Sequence, residues 1–407
     1  MEIRPILSSL RRSKTGAVLI AAQVALTLAI LSNAAFVVRD RLALSARPTG
    51  AVEPEVFVIR VLAFRPPPDL QHMQEEDSRA LAAIPGVKSV AWTNQVPLGR
   101  SGWTTGMAAD RNQTEAVPTA LYFSPDSLVE TLGLELIEGR DFTPDDVVLV
   151  DPSRESPEPE VAIVTHELAR RLFPDGGPYV GRTIYQGTGD DAPAARIVGV
   201  VELLYQPWAR PPGREGEISV ILPERHLSEV ASYFVRTDAT ARDQVMAQAE
   251  ELLTSRIDGR LLIENRGLEE VRARYFRSHR ALAGMLSAVS VLLLLVTASG
   301  IVGMASLWVN QRRKQIGVRR ALGALRRDVV RYFLVENFLV TSVGLLAGVA
   351  LALGLNEILV RELEMSRLPW VYLVLGVASL WFLGLAAAFG PAWRASLISP
   401  AIATRSA

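Results

Sequence analysis

Cysteine is absent. That excludes a disulfide framework, Cys-ligated zinc and a thiol nucleophile, and it leaves the compartment open, because an oxidising space permits disulfides without requiring them. Histidine is scarce: the four are His72, His166, His226 and His279. None has a second histidine at the spacing of H-E-x-x-H, and His166-Glu167 is only half of that motif. No serine sits in a G-x-S-x-G elbow. A phosphate loop is also lacking. Gly176-Gly-Pro-Tyr-Val-Gly181-Arg182-Thr183 comes near to G-x-x-x-x-G-K-[ST], but Arg182 stands where a lysine must reach the β/γ-phosphates, and Pro178 removes one N–H from the cradle. No catalytic, metal-binding or cofactor-binding residue is therefore assigned.

Charge is missing from four long stretches, Thr15–Val38, Ala281–Gln311, Asn337–Asn356 and Leu368–Trp393. Each reaches or exceeds the roughly 20 residues a helix needs to cross a bilayer core. The first run is too long for the apolar region of a signal peptide and reads as an uncleaved anchor. The overall totals, 49% hydrophobic and a mean hydropathy of +0.22, would suit a soluble protein almost as well, so the distribution decides. The formal net charge of zero conceals a segregation. Met1–Lys14, Arg312–Arg331 and the tail from Arg394 together hold fourteen of the 43 Lys and Arg but only Glu2 and Asp328 as acids. Basic residues beside membrane helices mark the cytoplasmic side, and four crossings place all three segments there. Both termini are expected inside and Arg39–Arg280 outside.

Met1–Lys14 carries Ile3, Ile6, Leu7 and Leu10 on one stripe, the pattern of an amphipathic helix lying in the interface. The long middle segment alternates strand-like runs (Val56–Ala63, Val87–Trp92, Val161–Thr165, Arg196–Val201, Ile218–Leu222, Tyr233–Arg236) with helical ones (Glu75–Ala83, His166–Phe173, Ala241–Ile257, Glu269 onward). The last has no breaker before the second apolar stretch, which predicts one stiff rod into the membrane. Gly344 and Gly348 form a G-x-x-x-G pair suited to close helix packing. Glu336, just inside the third span, is expected to snorkel or to pair with a neighbouring arginine.

The strongest site signal is the loop Arg312–Arg331. Val318, Leu322, Leu325 and Val329 follow i, i+4, i+7, i+11, with Arg319, Arg320, Arg326 and Arg327 on other faces. This predicts a basic amphipathic helix, either touching lipid headgroups or docking a partner.

Gln311-Arg-Arg-Lys-Gln-Ile-Gly-Val-Arg-Arg-Ala-Leu-Gly-Ala-Leu-Arg-Arg-Asp resembles the signature of FtsX/MacB-type ABC transporter permeases, and Gly390-Pro-Ala-Trp-Arg-Ala-Ser-Leu-Ile-Ser-Pro-Ala is similar to that family's C-terminal end. Gly139-Arg-Asp-Phe, Ala169-Arg-Arg-Leu-Phe-Pro, Val180-Gly-Arg-Thr-Ile, Ile197-Val-Gly-Val-Val, Pro85-Gly-Val-Lys-Ser-Val and Asn94–Pro97 resemble the MacB periplasmic core. The resemblance implies an α+β fold: four transmembrane helices, with a large mixed α/β extracytoplasmic domain inserted between helices one and two. The segments are a cytoplasmic amphipathic helix (1–15), transmembrane helix 1 (16–38), the periplasmic core (39–280), helix 2 (281–309), a cytoplasmic coupling helix (310–331), helix 3 (332–356), a short loop (357–368), helix 4 (369–393) and a tail (394–407).

The resemblance also implies a non-catalytic permease subunit in the bacterial inner membrane. ATP would be bound by a separate cytoplasmic ABC ATPase docked on Ile316, Gly317, Val318, Arg319, Arg320, Leu322, Gly323, Leu325, Arg326 and Arg327. The other implied partners are a second permease chain, identical or related, a periplasmic adaptor, an outer-membrane duct and membrane lipid, with no nucleic acid. Within the same family, lipoprotein release of the Lol type and FtsX-like regulation of a cell-wall hydrolase are the alternatives to export.

Overall fold

A computed structural model describes residues 14–399, except 66, 68, 152–155, 209–216, 257–258 and 364–365. The proposed interfacial helix of residues 1–13 lies outside the described residues, as does the end of the tail. The chain divides into two compact units. One comprises Met1–Ala43 with His279–Ala407, and the other is Leu44–Ser278.

The α/β unit has two lobes. Strands β1 (Val56–Ala63), β2 (Val87–Trp92), β12 (Val230–Thr237) and β13 (Arg260–Gly267) form an antiparallel sheet in the order β13-β1-β12-β2. Helix α2 (Leu70–Ala82) links β1 to β2, and α5 (Arg242–Ser255) links β12 to β13. This is a split βαβ arrangement. Central strand β1, Val-Phe-Val-Ile-Arg-Val-Leu-Ala, is apolar on both faces because both are covered. Phe57, Ile59 and Val61 enter the core beneath the helices, while Val56 and Val58 enter a second core. Asp69 caps α2 by accepting from the His72 N–H at 2.9 Å. Under that helix the Arg260–Asp77 ion pair, at 2.7 Å, is fully buried, and Tyr233 donates to the same carboxylate at 3.0 Å.

The second lobe is inserted between β2 and β12. It contains β3 (Thr104–Ala108), β4 (Val117–Phe123), α3 (Leu128–Leu132), β5 (Leu136–Gly139), β6 (Val148–Val150), β7 (Val161–Thr165), α4 (His166–Leu172), β8 (Thr183–Gln186), β9 (Ala194–Val201), β10 (Ser219–Leu222) and β11 (Glu224–His226). The main sheet runs β5-β9-β7-β10-β4-β3-β8, and β8 pairs back onto β9, so six strands close on themselves. Closure removes the exposed edges that an open sheet must protect.

Helix α6 (Leu268–Tyr275) is followed at once by α7 (Arg277–Gln311), and the continuous rod expected from the sequence is interrupted at Phe276. No glycine or proline causes the break. The Phe276 ring is 1% exposed, packed with Leu44, Leu98 and Tyr205; that burial sets the backbone at φ −87, ψ 5 and overrides local helix propensity.

The membrane unit holds α1 (Lys14–Ala46), α7, α9 (Arg326–Leu363) and α10 (Trp370–Ser396), with the short α8 (Arg313–Ala321) between α7 and α9. All four long helices have the length and apolar composition to cross a membrane. With 33 residues at 1.5 Å each, α1 is about 50 Å long, well beyond the roughly 30 Å of a hydrocarbon core. The shared core is made of Ile20, Val24 and Leu28 from α1, Ile301 and Trp308 from α7, Val340 and Leu345 from α9, and Leu380 and Ala388 from α10. Polar side chains tie it across helices. Thr27 and Thr297 share a hydrogen bond of 2.8 Å, Asn33 donates to the Ala352 carbonyl at 3.1 Å, and Asn337 donates to the Gly384 carbonyl at 2.9 Å. Such bonds glue helices where lipid gives no hydrophobic preference.

Candidate functional site

The basic loop folds as an elbow, which corrects the reading of Arg312–Arg331 as one helix. α8 ends in a Schellman motif: the Gly323 N–H donates to the Arg320 carbonyl at 3.2 Å and the Ala324 N–H to the Arg319 carbonyl at 3.1 Å. Gly323 takes φ +96, a conformation that glycine adopts without strain. α9 then starts afresh, with the Asp328 carboxylate accepting from the Leu325 N–H at 3.0 Å.

The break divides the expected apolar stripe. Val329 is buried, together with Ile316, Val309, Phe333 and Ala395. Val318, Leu322 and Leu325 are exposed, Leu322 to 83%. The face that anchors α8 is therefore Ile316 and Gly317, and the residues left outward are Val318, Leu322 and Leu325.

The arginines divide in the same way. Arg312 Nη1 lies 2.9 and 2.8 Å from the two carboxylate oxygens of Glu336, which is completely buried. Arg320 donates to the Ser396 carbonyl at the end of α10, and the Arg319 guanidinium lies 5.2 Å from the centre of the Tyr332 ring. These three position the elbow. Arg313, Lys314, Arg326 and Arg327 form no ion pair among the described residues and are exposed, leaving positive charge at the start of α8 and at the start of α9. The partner of Glu336 stands 24 residues upstream, so the helix-neighbour spacing that sequence reasoning relies on could not identify it.

Gly344 and Gly348 face α1. A Cβ on Gly344 would come within 2.6 Å of the Ala21 carbonyl oxygen, and one on Gly348 within 3.0 Å of Ala25 and Leu28. Their lack of a side chain lets the two backbones meet.

The near-phosphate loop does not form a cradle. It lies between α4 and β8, and a strand follows it in place of a helix. Arg182 is turned back into the loop itself, reaching Asp175 at 2.9 Å, the Gly176 carbonyl at 2.8 Å and the Pro178 carbonyl at 3.0 Å, above the Phe173 ring. The Asp175 carboxyl is held below its usual range by that arginine. The histidines are dispersed, with His72 beside Glu76, His166 beside Glu202, His226 beside Glu224 and His279 beside Arg41.

Residues 16–252 match the MacB-like periplasmic core domain, and residues 287–400 match the FtsX-like permease C-terminal family. Three curated relatives show the range. The macrolide export ATP-binding/permease protein MacB of Chromobacterium violaceum is 29% identical, covering 66% of this chain and 40% of that one. The probable syringafactin export ATP-binding/permease protein SyfD of Pseudomonas syringae pv. tomato is 26% identical over 59% of this chain and 36% of that one. The pyoverdine export ATP-binding/permease protein PvdT of Pseudomonas fluorescens is 31% identical over 42% and 26% respectively. In each case the matched region spans well under half the relative's length. The two family matches fall on the α/β unit with the first membrane helix and on the remaining three helices, and the chain therefore belongs to the FtsX-like permeases that carry a MacB-like periplasmic core domain.

Proposed function

We propose that this chain is the membrane permease of an ABC exporter and that the α8–α9 elbow is where a separate cytoplasmic ATPase engages it. The observation that carries the assignment is Leu322, a large apolar side chain 83% exposed at the tip of a turn, followed four and five residues later by the exposed Arg326 and Arg327 that open α9. An apolar anchor beside exposed cations suits a groove with an acidic edge: the anchor supplies burial and the cations supply steering. The Arg312–Glu336 pair and the Arg320 bond make the elbow a rigid extension of α7, α9 and α10, so that a displacement imposed on Leu322 is delivered to membrane helices. With both termini in the cytoplasm and the α/β unit outside, that displacement drives the unit that handles cargo, together with a second permease chain, an adaptor and an outer-membrane duct.

The test is Leu322→Asp. Its exposure means that the change leaves the fold intact, while a charge placed in a buried contact costs several kcal/mol and lowers affinity by about two to three orders of magnitude. The variant is expected to insert normally, keep wild-type thermal stability and lose co-purification of the ATPase. Retention of the ATPase at wild-type stoichiometry overturns the docking assignment and leaves contact with lipid headgroups as the role of the elbow.

A further inference from the structure

A cleft of about 380 Å³ lies between the two lobes of the α/β unit. Its volume falls in the range of small-molecule sites. The closed lobe contributes an aromatic wall. Phe123 and His226 stack with ring centres 4.1 Å apart and planes inclined by 27°, and Trp103 meets Phe123 edge-on at 5.7 Å. Glu224 holds the His226 Nε2 at 2.5 Å and so fixes the ring. Trp103 is nevertheless 58% exposed, an unusual condition for an indole already flanked by two rings.

The four-stranded sheet contributes the polar part. Arg60 donates from Nε to the Ser232 hydroxyl at 2.9 Å, and its nearest carboxylate oxygen, on Glu264, is 4.0 Å away. The guanidinium therefore retains donors for another acceptor.

We infer that this cleft binds a planar aromatic molecule bearing an anionic or carbonyl oxygen, with its ring against Trp103 and the Phe123–His226 pair and its oxygen on Arg60. Aromatic faces reward stacking, and a guanidinium rewards an oxyanion. The inference is independent of the elbow assignment, because binding requires neither ATP nor an ATPase.

The probe is indole-3-acetate, titrated calorimetrically into the full chain in lipid nanodiscs, with empty nanodiscs subtracted. Saturable binding to the wild type is expected, weakened about tenfold in Trp103→Ala and in Arg60→Gln, each the size of one lost contact. Thermal unfolding checks each variant, the first altering an exposed ring and the second a surface-reaching side chain. Indole-3-acetamide, neutral but still an acceptor, is expected to bind more weakly than the acetate to the wild type and equally to Arg60→Gln. Non-saturable uptake by the wild type, or affinity unchanged in the folded variants, overturns the inference.

Discussion

A single nitrogen of Arg312 contacts both carboxylate oxygens of Glu336, at 2.9 and 2.8 Å, and so fastens the end of α7 to the first turns of α9. Glu336 has no solvent exposure and Arg312 retains 15%. The pair lies where the chain emerges from the membrane span, in surroundings too apolar for either charge to stand alone.

Removing one partner strands the other. Arg312→Met alone and Glu336→Leu alone are each expected to cost about 3–5 kcal/mol, the usual penalty for breaking a buried pair. The double change Arg312→Met with Glu336→Leu should recover most of that loss. Thermal unfolding of the two single variants and the double variant in detergent, analysed as a cycle, checks this. Single variants as stable as the wild type would show the pair to be incidental.

The glycines of α9 separate into tight and open positions. Gly344→Ala places a methyl 2.6 Å from the Ala21 carbonyl oxygen, whereas Gly354→Ala meets nothing within 4 Å. The first should destabilise the membrane unit by about 1–3 kcal/mol through overpacking. The second should be neutral or stabilising, since alanine favours the helix by about 1 kcal/mol. Unfolding midpoints in one detergent compare them directly, and equal midpoints would refute the close contact with α1.

In the α/β unit, Arg260→Met leaves Asp77 buried at 1% exposure without its cation. The expected loss is about 3–5 kcal/mol. Tyr233→Phe removes only the 3.0 Å bond to the same carboxylate and should cost about 1 kcal/mol. Susceptibility to proteolysis across a urea series gives both values, and the ranking is the prediction.

Asp126 supplies a pH dependence. Burial raises its carboxyl above the ordinary range, and the Trp92 N–H and Arg225 offset this only in part. A raised carboxyl binds its proton more tightly folded than unfolded, so its contribution is full at acid pH and is lost as pH rises through the folded-state value. Asp126→Asn keeps an oxygen for the Trp92 N–H and cannot ionise. The wild type should match the variant near pH 4 and fall below it by pH 7.5. A gap that widens toward acid would reverse the assignment.

Much of the framework is legible in the residues. The apolar runs locate the spans, and Val56–Ala63, Val87–Trp92 and Val161–Thr165 read as strands with the bounds they have in the fold. The strands that escape notice are masked by composition. β4 contains Pro118 and β3 contains Gly106. β13, Arg-Leu-Leu-Ile-Glu-Asn-Arg-Gly, is an edge strand with Leu261 and Ile263 facing solvent, so its alternation is blurred. The elbow divides in the same way. Its basic and apolar residues are visible in order, but Gly323 decides that they form a turn, and a glycine three residues past an arginine pair is equally at home inside a helix signature. Partners such as Glu336 for Arg312 or the Ser396 carbonyl for Arg320 are distant in sequence and leave no periodic trace.

The α/β unit begins and ends at one corner of its four-stranded sheet. Phe57 pairs with Gly267, and Arg272 binds Glu53 at 2.8 Å while also holding the Ser45 and Arg47 carbonyls. A body whose two chain ends are pinned side by side behaves as a cassette. It can be lifted from one four-helix host and grafted into another with two adjacent cuts, and the strain of a poor join stays local to that clamp. Exchange of the whole α/β unit then requires no redesign of the four helices, only replacement of what is mounted between Ser45 and Arg272.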